Sequence, residues 1–588
     1  MKTVQFFWHY FKVYKFSFVV VILMIVLATF AQALFPVFSG QAVTQLANLV
    51  QAYQNGNPEL VWQSLSGIMV NLGLLVLVLF ISSVIYMCLM TRVIAESTNE
   101  MRKGLFGKLA QLTVSFFDRR QDGDILSHFT SDLDNILQAF NESLIQVMSN
   151  IVLYIGLILV MFSRNVTLAL ITIASTPLAF LMLIFIVKMA RKHTNLQQKE
   201  VGKLNAYMDE SISGQKAVIV QGIQEDMMAG FLEQNERVRK ATFKGRMFSG
   251  ILFPVMNGMS LINTAIVIFA GSAVLLNDKS IETSTALGLI VMFAQFSQQY
   301  YQPIIQVAAS WGSLQLAFTG AERIQEMFDA EEEIRPEKAP TFTKLQESVE
   351  ISHIDFSYLP DKPILKDVSI SAPKGQMTAV VGPTGSGKTT IMNLINRFYD
   401  VDAGGIYFDG KDIRGYDLDS LRSKVGIVLQ DSVLFSGTIR DNIRFGVPDA
   451  SQEMVEVAAK ATHIHDYIES LPDKYDTLID DDQSIFSTGQ KQLISIARTL
   501  MTDPEVLILD EATSNVDTVT ESKIQHAMEV VVAGRTSFVI AHRLKTILNA
   551  DQIIVLKDGE VIERGNHHEL LKLGGFYSEL YHNQFVFE

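Results

Sequence analysis

Apolar residues gather along the first half of the chain into six long blocks, at about 17–39, 66–90, 143–162, 165–187, 249–275 and 284–309. Each is near the ~20 residues that a helix needs to cross a bilayer core, so the pattern predicts six membrane-spanning helices. The first block is preceded by Lys2, Lys12 and Lys15. It is longer than a signal-peptide core and lacks a small-residue cleavage site, so it reads as an anchor that stays. Ahead of it, Phe6, Phe7, Trp8, Tyr10 and Phe11 stand among those lysines, the pattern of an amphipathic helix lying on the inner membrane surface.

Basic residues set the expected orientation. Arg92, Arg102, Lys103, Lys108, Arg119 and Arg120 follow the second block, and Lys188, Arg191, Lys192 and a basic stretch to Arg246 follow the fourth. Cytoplasmic loops carry such excess, which places the N-terminus and both long connections inside. Gln54 to Asn57, Ser163 to Asn165 and Asn277 to Ser280 are left outside, with Arg164 the one basic residue against the rule. The connections, about 92–142 and 188–248, are too long for turns and read as helical stalks that extend the spans. In the first stalk, Phe116 to Leu126 contains Gly123 and precedes Ser131-Asp132-Leu133-Asp134. This predicts a break, a short transverse helix at the tip and a helix restart capped near Ser131. A comparable tip is expected near Tyr207 to Gly214.

Past Trp311 the pattern turns charged, through Asp329-Ala330-Glu331-Glu332-Glu333 and Arg335 to Pro340, and then alternates short strands with helices. The expected division is a transmembrane domain at 1–320, a linker at 321–347 and an α/β domain with a largely parallel sheet at 348–588, signalled by runs such as Val349-Glu350-Ile351 and Met377 to Val381. Composition agrees with a membrane protein: 48% of residues are hydrophobic and mean hydropathy is positive. A net charge of −14 argues against a nucleic-acid partner, which needs a concentrated basic surface. The single cysteine, Cys88, admits no intramolecular disulfide and reads as a small buried hydrophobe.

Directly after the apolar run Thr378-Ala379-Val380-Val381 comes Gly382-Pro383-Thr384-Gly385-Ser386-Gly387-Lys388-Thr389-Thr390. It matches the phosphate-binding loop G-x-x-x-x-G-K-[ST], whose glycines let backbone N–H groups curl round phosphates. Lys388 adds a point charge and the Thr389 hydroxyl can ligate Mg²⁺. Farther on, Val506-Leu507-Ile508-Leu509-Asp510-Glu511 reads as a buried strand ending in two acids. Asp510 would hold Mg²⁺ through water and Glu511 would polarise the attacking water.

The order of these motifs resembles the ATP-binding cassette (ABC) transporters, and among them exporters with six helices fused to one nucleotide-binding domain. The resemblance runs over essentially the whole chain. It implies a membrane all-α exporter domain with cytoplasmic stalks, joined to an α/β P-loop domain. It also implies roles by position: Tyr358 in Phe356-Ser357-Tyr358 stacks on the base, and Gln430 in Val428-Leu429-Gln430-Asp431 senses Mg²⁺. Phe486-Ser487-Thr488-Gly489-Gln490 stands where the signature L-S-G-G-Q belongs, Ser514-Asn515-Val516-Asp517 where S-A-L-D belongs, and His542 where the switch histidine belongs. Ser487, Gly489, Gln490 and Asp517 would then contact a nucleotide held by an opposite domain. The working unit is thus expected to be a dimer.

Two departures from the family pattern matter. Thr488 replaces the first signature glycine and Phe486 its leucine, which puts a β-branched residue where backbone should approach phosphate closely. Upstream, Asp480-Asp481-Asp482-Gln483 replaces Gly-Glu-Arg-Gly. Lys388, Gln430, Asp510, Glu511 and His542 are all retained. This combination resembles the catalytic-glutamate-bearing subunit of heterodimeric Gram-positive multidrug exporters, and of those the larger subunit of a streptococcal fluoroquinolone-type efflux pair. A heterodimer is favoured over a homodimer.

In the membrane half, Gln295, Gln298, Gln299 and Gln302 fall at i, i+3, i+4 and i+7 on the sixth span, beside Phe296. Such a polar stripe should face the bundle interior, where Met256 and Met259 of the fifth span could add an adaptable apolar surface. Hydrogen bonding between packed spans accounts for these residues equally well. No acid lies well inside a span, Glu142 falling on a cytoplasmic extension, which argues against proton coupling. The resulting expectation is a multi-pass subunit of the bacterial plasma membrane that uses ATP and Mg²⁺ to export hydrophobic or amphipathic small molecules. Tyr358 presents its π-face to adenine or guanine alike, so GTP stays open as fuel. A lipid flippase of the same fold and a homodimeric exporter are the alternatives.

Overall fold

The computed structural model describes residues 2–54, 59–277, 281–336, 338–430, 432–479, 486–510, 518–540 and 548–584. The chain divides into two compact units, one of Met1–Ala110 with Gln121–Ala330 and one of Gln111–Arg120 with Glu331–Glu588. The segment 111–120, expected within a stalk, therefore groups with the second unit.

The first unit is helical. A short α1 (Lys2–Phe11) leads into α2 (Lys15–Gln54) and α3 (Glu59–Leu109), where Cys88, expected to be buried, is exposed on the helix surface. In α1, Phe7 and Phe11 are buried against Phe140 while Trp8 stays exposed, so much of its aromatic face packs on protein. The second unit claims α4 (Val114–Asp118), the short helix at the first stalk's tip. The chain then re-enters the helical unit through α5 (Asp122–Ser127) and α6 (Leu133–Gln138). The expected restart near Ser131 does not occur. Residues His128–Asp132 continue as a π-helical turn, and Asp132 makes no cap but binds the His128 ring at 2.9 Å.

Next come α7 (Ile145–Arg164), α8 (Val166–Ile173) and α9 (Thr176–Ser213). The second stalk's tip is α10 (Gln215–Gln221), later than expected near 207–214, because good helix formers carry α9 to Ser213 and Gly222 in the left-handed region stops α10. Then follow α11 (Gln224–Gly250), α12 (Leu252–Asn277) and α13 (Thr283–Phe328). Among the described residues, Gln5–Tyr53, Val61–Leu109, Asp122–Arg164, Val166–Ser213 and Gln224–Leu275 are long and apolar enough to cross a membrane. The sixth expected span lies on α13, whose glutamines at 295, 298, 299 and 302 make it less apolar.

A polar knot holds the apolar helices. The Asn263 amide on α12 donates to Ser297 Oγ of α13 at 2.7 Å and to the Thr172 carbonyl at 3.1 Å, and Ser175 donates to Asn263 Oδ1 at 2.9 Å. The Tyr154 and Tyr300 hydroxyls meet at 2.6 Å. Where lipid tails give no hydrophobic drive between helices, such bonds and close packing fix the pairing. The break between α8 and α9 at Ser175 frees its side chain to join the knot.

The second unit carries two larger sheets. Strands β1 (Ser348–Leu359), β2 (Lys362–Pro373), β4 (Ala403–Phe408) and β5 (Lys411–Asp412) form an antiparallel sheet in the order β2-β1-β4-β5. The other sheet, in the order β12-β11-β3-β10-β9-β6, contains β3 (Met377–Val381), β6 (Val425–Val428), β9 (Val506–Asp510), β10 (Thr536–Ile540), β11 (Gln552–Lys557) and β12 (Glu560–Gly565). Its members pair in parallel except β12. A small pair, β7 (Gly437–Thr438) with β8 (Leu478–Ile479), completes the strands. Val349 thus lies in the antiparallel sheet, whereas the Met377 run is central to the parallel one. The all-apolar interiors of β9 and β10 fit strands covered on both faces.

Candidate functional site

The parallel sheet brings its chemistry to one edge. Ile540 at the end of β10 lies opposite both Val380 of β3 and Asp510 of β9, and Val428 of β6 lies opposite Leu509. The carboxyl ends of four neighbouring strands are therefore level, the place where open α/β sheets bind ligands. Asp510 closes β9 there, and exposed Gln430 follows β6 by two residues. Glu511 and His542 come after β9 and β10 in the sequence and lie outside the described residues, as do Asp517 with the Ser514–Val516 stretch and Asp480 to Gln483.

After β3 the chain turns through 382–387 into α14 (Lys388–Ile395). Gly385 and Gly387 have φ of 83° and 103°, backbone that disfavours a side chain. A Cβ on Gly387 would lie 2.6 Å from the Leu365 side chain, and one on Gly382 would run into the Leu556 carbonyl. Both glycines are thus held by neighbours as well as by conformation. Pro383, Thr384 and Thr389 are exposed, whereas Thr390 is buried.

Lys388 is 9% exposed, and its ammonium donates to the carbonyls of Gly382 at 2.8 Å and Pro383 at 3.0 Å. Burial pushes its pKa below the ordinary lysine value, while the Asp510 carboxylate opposes that shift. The Ser386 hydroxyl, 2% exposed, has no hydrogen-bond partner among the described residues. A buried ammonium, an orphaned hydroxyl, and free N–H groups at the start of α14 suit a bound phosphate. With Thr389, Gln430 and Asp510 supplying oxygen ligands, the same edge suits a hard divalent cation.

The remaining sequence candidates fall on other elements. Ser487 caps α15 (Thr488–Met501): its hydroxyl accepts from the Gln490 N–H at 3.3 Å, and the Gln490 side chain accepts from the Ser487 N–H at 2.8 Å. Thr488 is exposed at the first position of this helix, Gly489 is buried beside it, and Phe486 packs into the core against Tyr467. Tyr358 lies next to the end of β1 with its ring edge-on to Phe356 and Tyr399, and its hydroxyl accepts from Asn393 at 3.2 Å. Its carbonyl accepts from Arg119 at 3.0 Å, and Tyr399 donates to Asp118. The segment carrying α4 thereby docks on the strand that presents Tyr358.

Residue profiles name the architecture. The profile of the ABC transporter transmembrane region matches residues 18–300, and that of the ABC transporter itself matches 365–514. This chain belongs to the ABC transporter family. An uncharacterized ABC transporter ATP-binding protein of Bacillus subtilis (strain 168) is 39% identical over 99% of this chain and 94% of its own length. A fatty acid ABC transporter ATP-binding/permease protein of Mycobacterium bovis is 37% identical, covering 84% of this chain and 77% of its own. The structure of a bacterial Atm1-family ABC exporter with ATP bound superposes with a TM-score of 0.75 at 27% identity, covering 97% of this chain and 98% of that one. The transporter is therefore an exporter with fused transmembrane and nucleotide-binding regions, and its second unit is an ATPase.

Some parts of the transporter's ATPase unit carry no sequence signal. Asn442 is 1% exposed and ties residues 433–438 to α15: its Oδ1 accepts from the Phe435 N–H at 2.8 Å and from Arg498 at 2.9 Å, and its amide donates to the Phe435 carbonyl at 2.8 Å. Arg498 also donates to the Val433 carbonyl at 3.1 Å and lies over the Phe435 and Phe445 rings. This couples the helix of the signature to the segment after Gln430. Neither residue stands in a motif, and periodicity alone marks them as ordinary helix positions.

In the transporter's membrane unit, the glutamines of α13 diverge. Gln295 donates to Ser39 at 2.8 Å and Gln302 to Asn257 at 3.3 Å, Gln298 is exposed, and Gln299 keeps a buried carbonyl oxygen without a partner. Phe296, Met256 and Met259 are buried in the helical core. The stripe expected to face one surface is therefore divided between interhelical bonds and solvent or lipid, with its aromatic and thioether neighbours packed inside.

Proposed function

We propose that this chain is one half of a heterodimeric exporter of the bacterial plasma membrane, coupling ATP binding and hydrolysis to efflux of amphipathic small molecules. The observation that carries the reading is Thr488, exposed at the first turn of α15 between Ser487 and Gly489. A β-branched side chain there crowds the approach of phosphate to the helix N-terminus. The phosphate-loop half, by contrast, retains its glycines, Lys388 and Asp510. One subunit with a sound loop and a weakened signature calls for a partner with the normal signature and an altered catalytic glutamate.

In this reading Tyr358 stacks on the base, residues 382–390 cradle the phosphates, and Lys388 neutralises their charge. Ser487, Gly489, Gln490 and Asp517 contact the nucleotide held by the opposing subunit. Glu511 takes the proton of the attacking water and His542 orients the γ-phosphate. Thr389, Gln430 and Asp510 would hold Mg²⁺, which when bound spreads the phosphate charge. Closure of two domains on two nucleotides draws on α4 and α10 and turns an inward-open cavity outward. The nucleotide-binding unit and the N-terminus lie in the cytoplasm, following the lysines and arginines of the stalks.

Lipid movement by the same fold is the second reading, supported by the fatty-acid cargo in the name of the Mycobacterium bovis relative. One experiment tests the heterodimer reading: purify the chain with and without its partner subunit, and measure hydrolysis of ATP and of GTP with and without aromatic amphiphilic drugs. Drug-stimulated turnover confined to the mixed complex is the expected result. Equal turnover by this chain alone would establish a homodimer and remove the weight placed on Thr488.

A further inference from the structure

A groove of about 640 Å³ runs between α7, α9 and α13 of the membrane unit, within the ~300–1,000 Å³ of small-ligand sites. Its α9 wall is one helical stripe, Phe180, Leu183, Ile184, Val187, Lys188 and Arg191, at spacings of three and four that share a face. The stripe is apolar to Val187 and cationic after it. Lys188 and Arg191 are exposed, and among the described residues neither makes a hydrogen bond or ion pair.

The other walls change character at the same end. The antiparallel course of α7 and α9 sets Asn150 near the two cations, and its buried amide nitrogen has no partner among the described residues. On α13, which runs in the direction of α9, the groove ends at Trp311, 64% exposed, an amphipathic ring suited to a membrane interface. From Phe180 to Arg191 the groove runs roughly 16 Å at 1.5 Å per residue, about half of the ~30 Å hydrocarbon core. It is one leaflet deep.

We propose that this groove binds an amphiphile with a single alkyl chain and an anionic head, the head on Lys188, Arg191 and the Asn150 amide and the chain along the α9 stripe. The proposal rests on the exporter reading for its orientation, and it names a cargo class and a site. Two unpaired cations and an unpartnered donor at one end complement an anion. A groove one leaflet long and of this volume takes one chain in preference to two.

The test uses the full chain in neutral phosphatidylcholine vesicles, with Trp8→Phe and Trp62→Phe leaving Trp311 as the sole tryptophan. Dibromostearate is the probe, and quenching of Trp311 reports its binding. The double variant K188Q/R191Q is expected to weaken binding about tenfold or more, and Ala308→Phe, which fills the groove and keeps both charges, to abolish saturable quenching. Dodecyltrimethylammonium should compete poorly. Unchanged affinity in K188Q/R191Q, or equal competition by the cationic amphiphile, overturns the assignment. Competition by two-chain phosphatidylglycerol as strong as by stearate overturns the single-chain part. ATP hydrolysis is measured with the partner subunit present. Its absence with quenching intact would refute the exporter reading and leave the site standing, whereas intact hydrolysis with charge-insensitive quenching refutes the site alone.

Discussion

Two lysines, two hundred residues apart, are placed by opposite means. Lys388 is buried and held by the carbonyls of Gly382 and Pro383, six and five residues away along the chain. Lys188 is exposed at the end of a stripe on α9, and its setting depends on α7 and α13, distant in sequence. The nucleotide edge is thus built from local conformation, turned by glycines at positive φ that a side chain would strain, and should be brittle to backbone change. The membrane groove is built from helix phase and volume, and should tolerate single substitutions while responding to charge.

The largest effect expected at the nucleotide edge comes from Glu511→Gln. Removing a general base costs about 10²–10⁴ in rate, so steady-state hydrolysis by the assembled transporter should fall by that order while nucleotide still binds. Wild-type turnover in that variant would remove Glu511 from the catalytic role. Gly387→Ala tests the brittleness directly. A non-glycine residue at φ of 103° is strained by about 1–3 kcal/mol, and the new Cβ meets Leu365. The thermal shift produced by ATP should largely vanish, whereas Ile304→Val in the groove should leave it intact.

Asn442→Ala probes the join between the segment after Gln430 and α15. Loss of the amide strips bonding partners from Arg498 and from the Phe435 backbone, at about 1–3 kcal/mol for a buried group left unsatisfied. Denaturant unfolding of the purified transporter should show an earlier midpoint for the nucleotide-binding transition. An unchanged midpoint would mean that water replaces the amide.

The smallest effect is a pH limb. Because burial lowers the Lys388 pKa, its ammonium is present below the lowered value and is lost as pH rises through it, before an ordinary lysine near 10.4 would titrate. Nucleotide affinity should weaken as pH rises through that lowered value, earlier than an ordinary lysine would titrate, and Lys388→Gln should flatten that limb. The apo fold responds with the opposite sign, since deprotonation relieves the cost of burying the charge. Affinity that falls equally in both proteins would assign the limb to another group.

Much of this molecule was legible along the chain because its signals are local. The phosphate loop is contiguous, its glycines stand where φ turns positive, and β9 reads as a buried strand ending at Asp510. Spans were legible for a similar reason, as a bilayer imposes a run length, although the glutamines of α13 blurred the sixth. Stalk details were harder to place: the π-helical turn at His128 carried the chain past the expected restart near Ser131, through a contact with Asp132 that no capping pattern reveals. The second tip moved to 215–221 because Gly222 stops α10 rather than anything before Gly214.

The sequence by itself determined the two-part architecture, the nucleotide loop and the family, since each rests on contiguous runs, and on their order along the chain, whose conformation follows from composition and spacing. Only the tertiary structure decided that Val349 joins an antiparallel sheet, that Asn442 and Arg498 brace α15, and that Asn150, Lys188 and Trp311 share one end of a groove. Those arrangements depend on which distant surfaces come together, and helix phase or strand register within one segment does not carry that information.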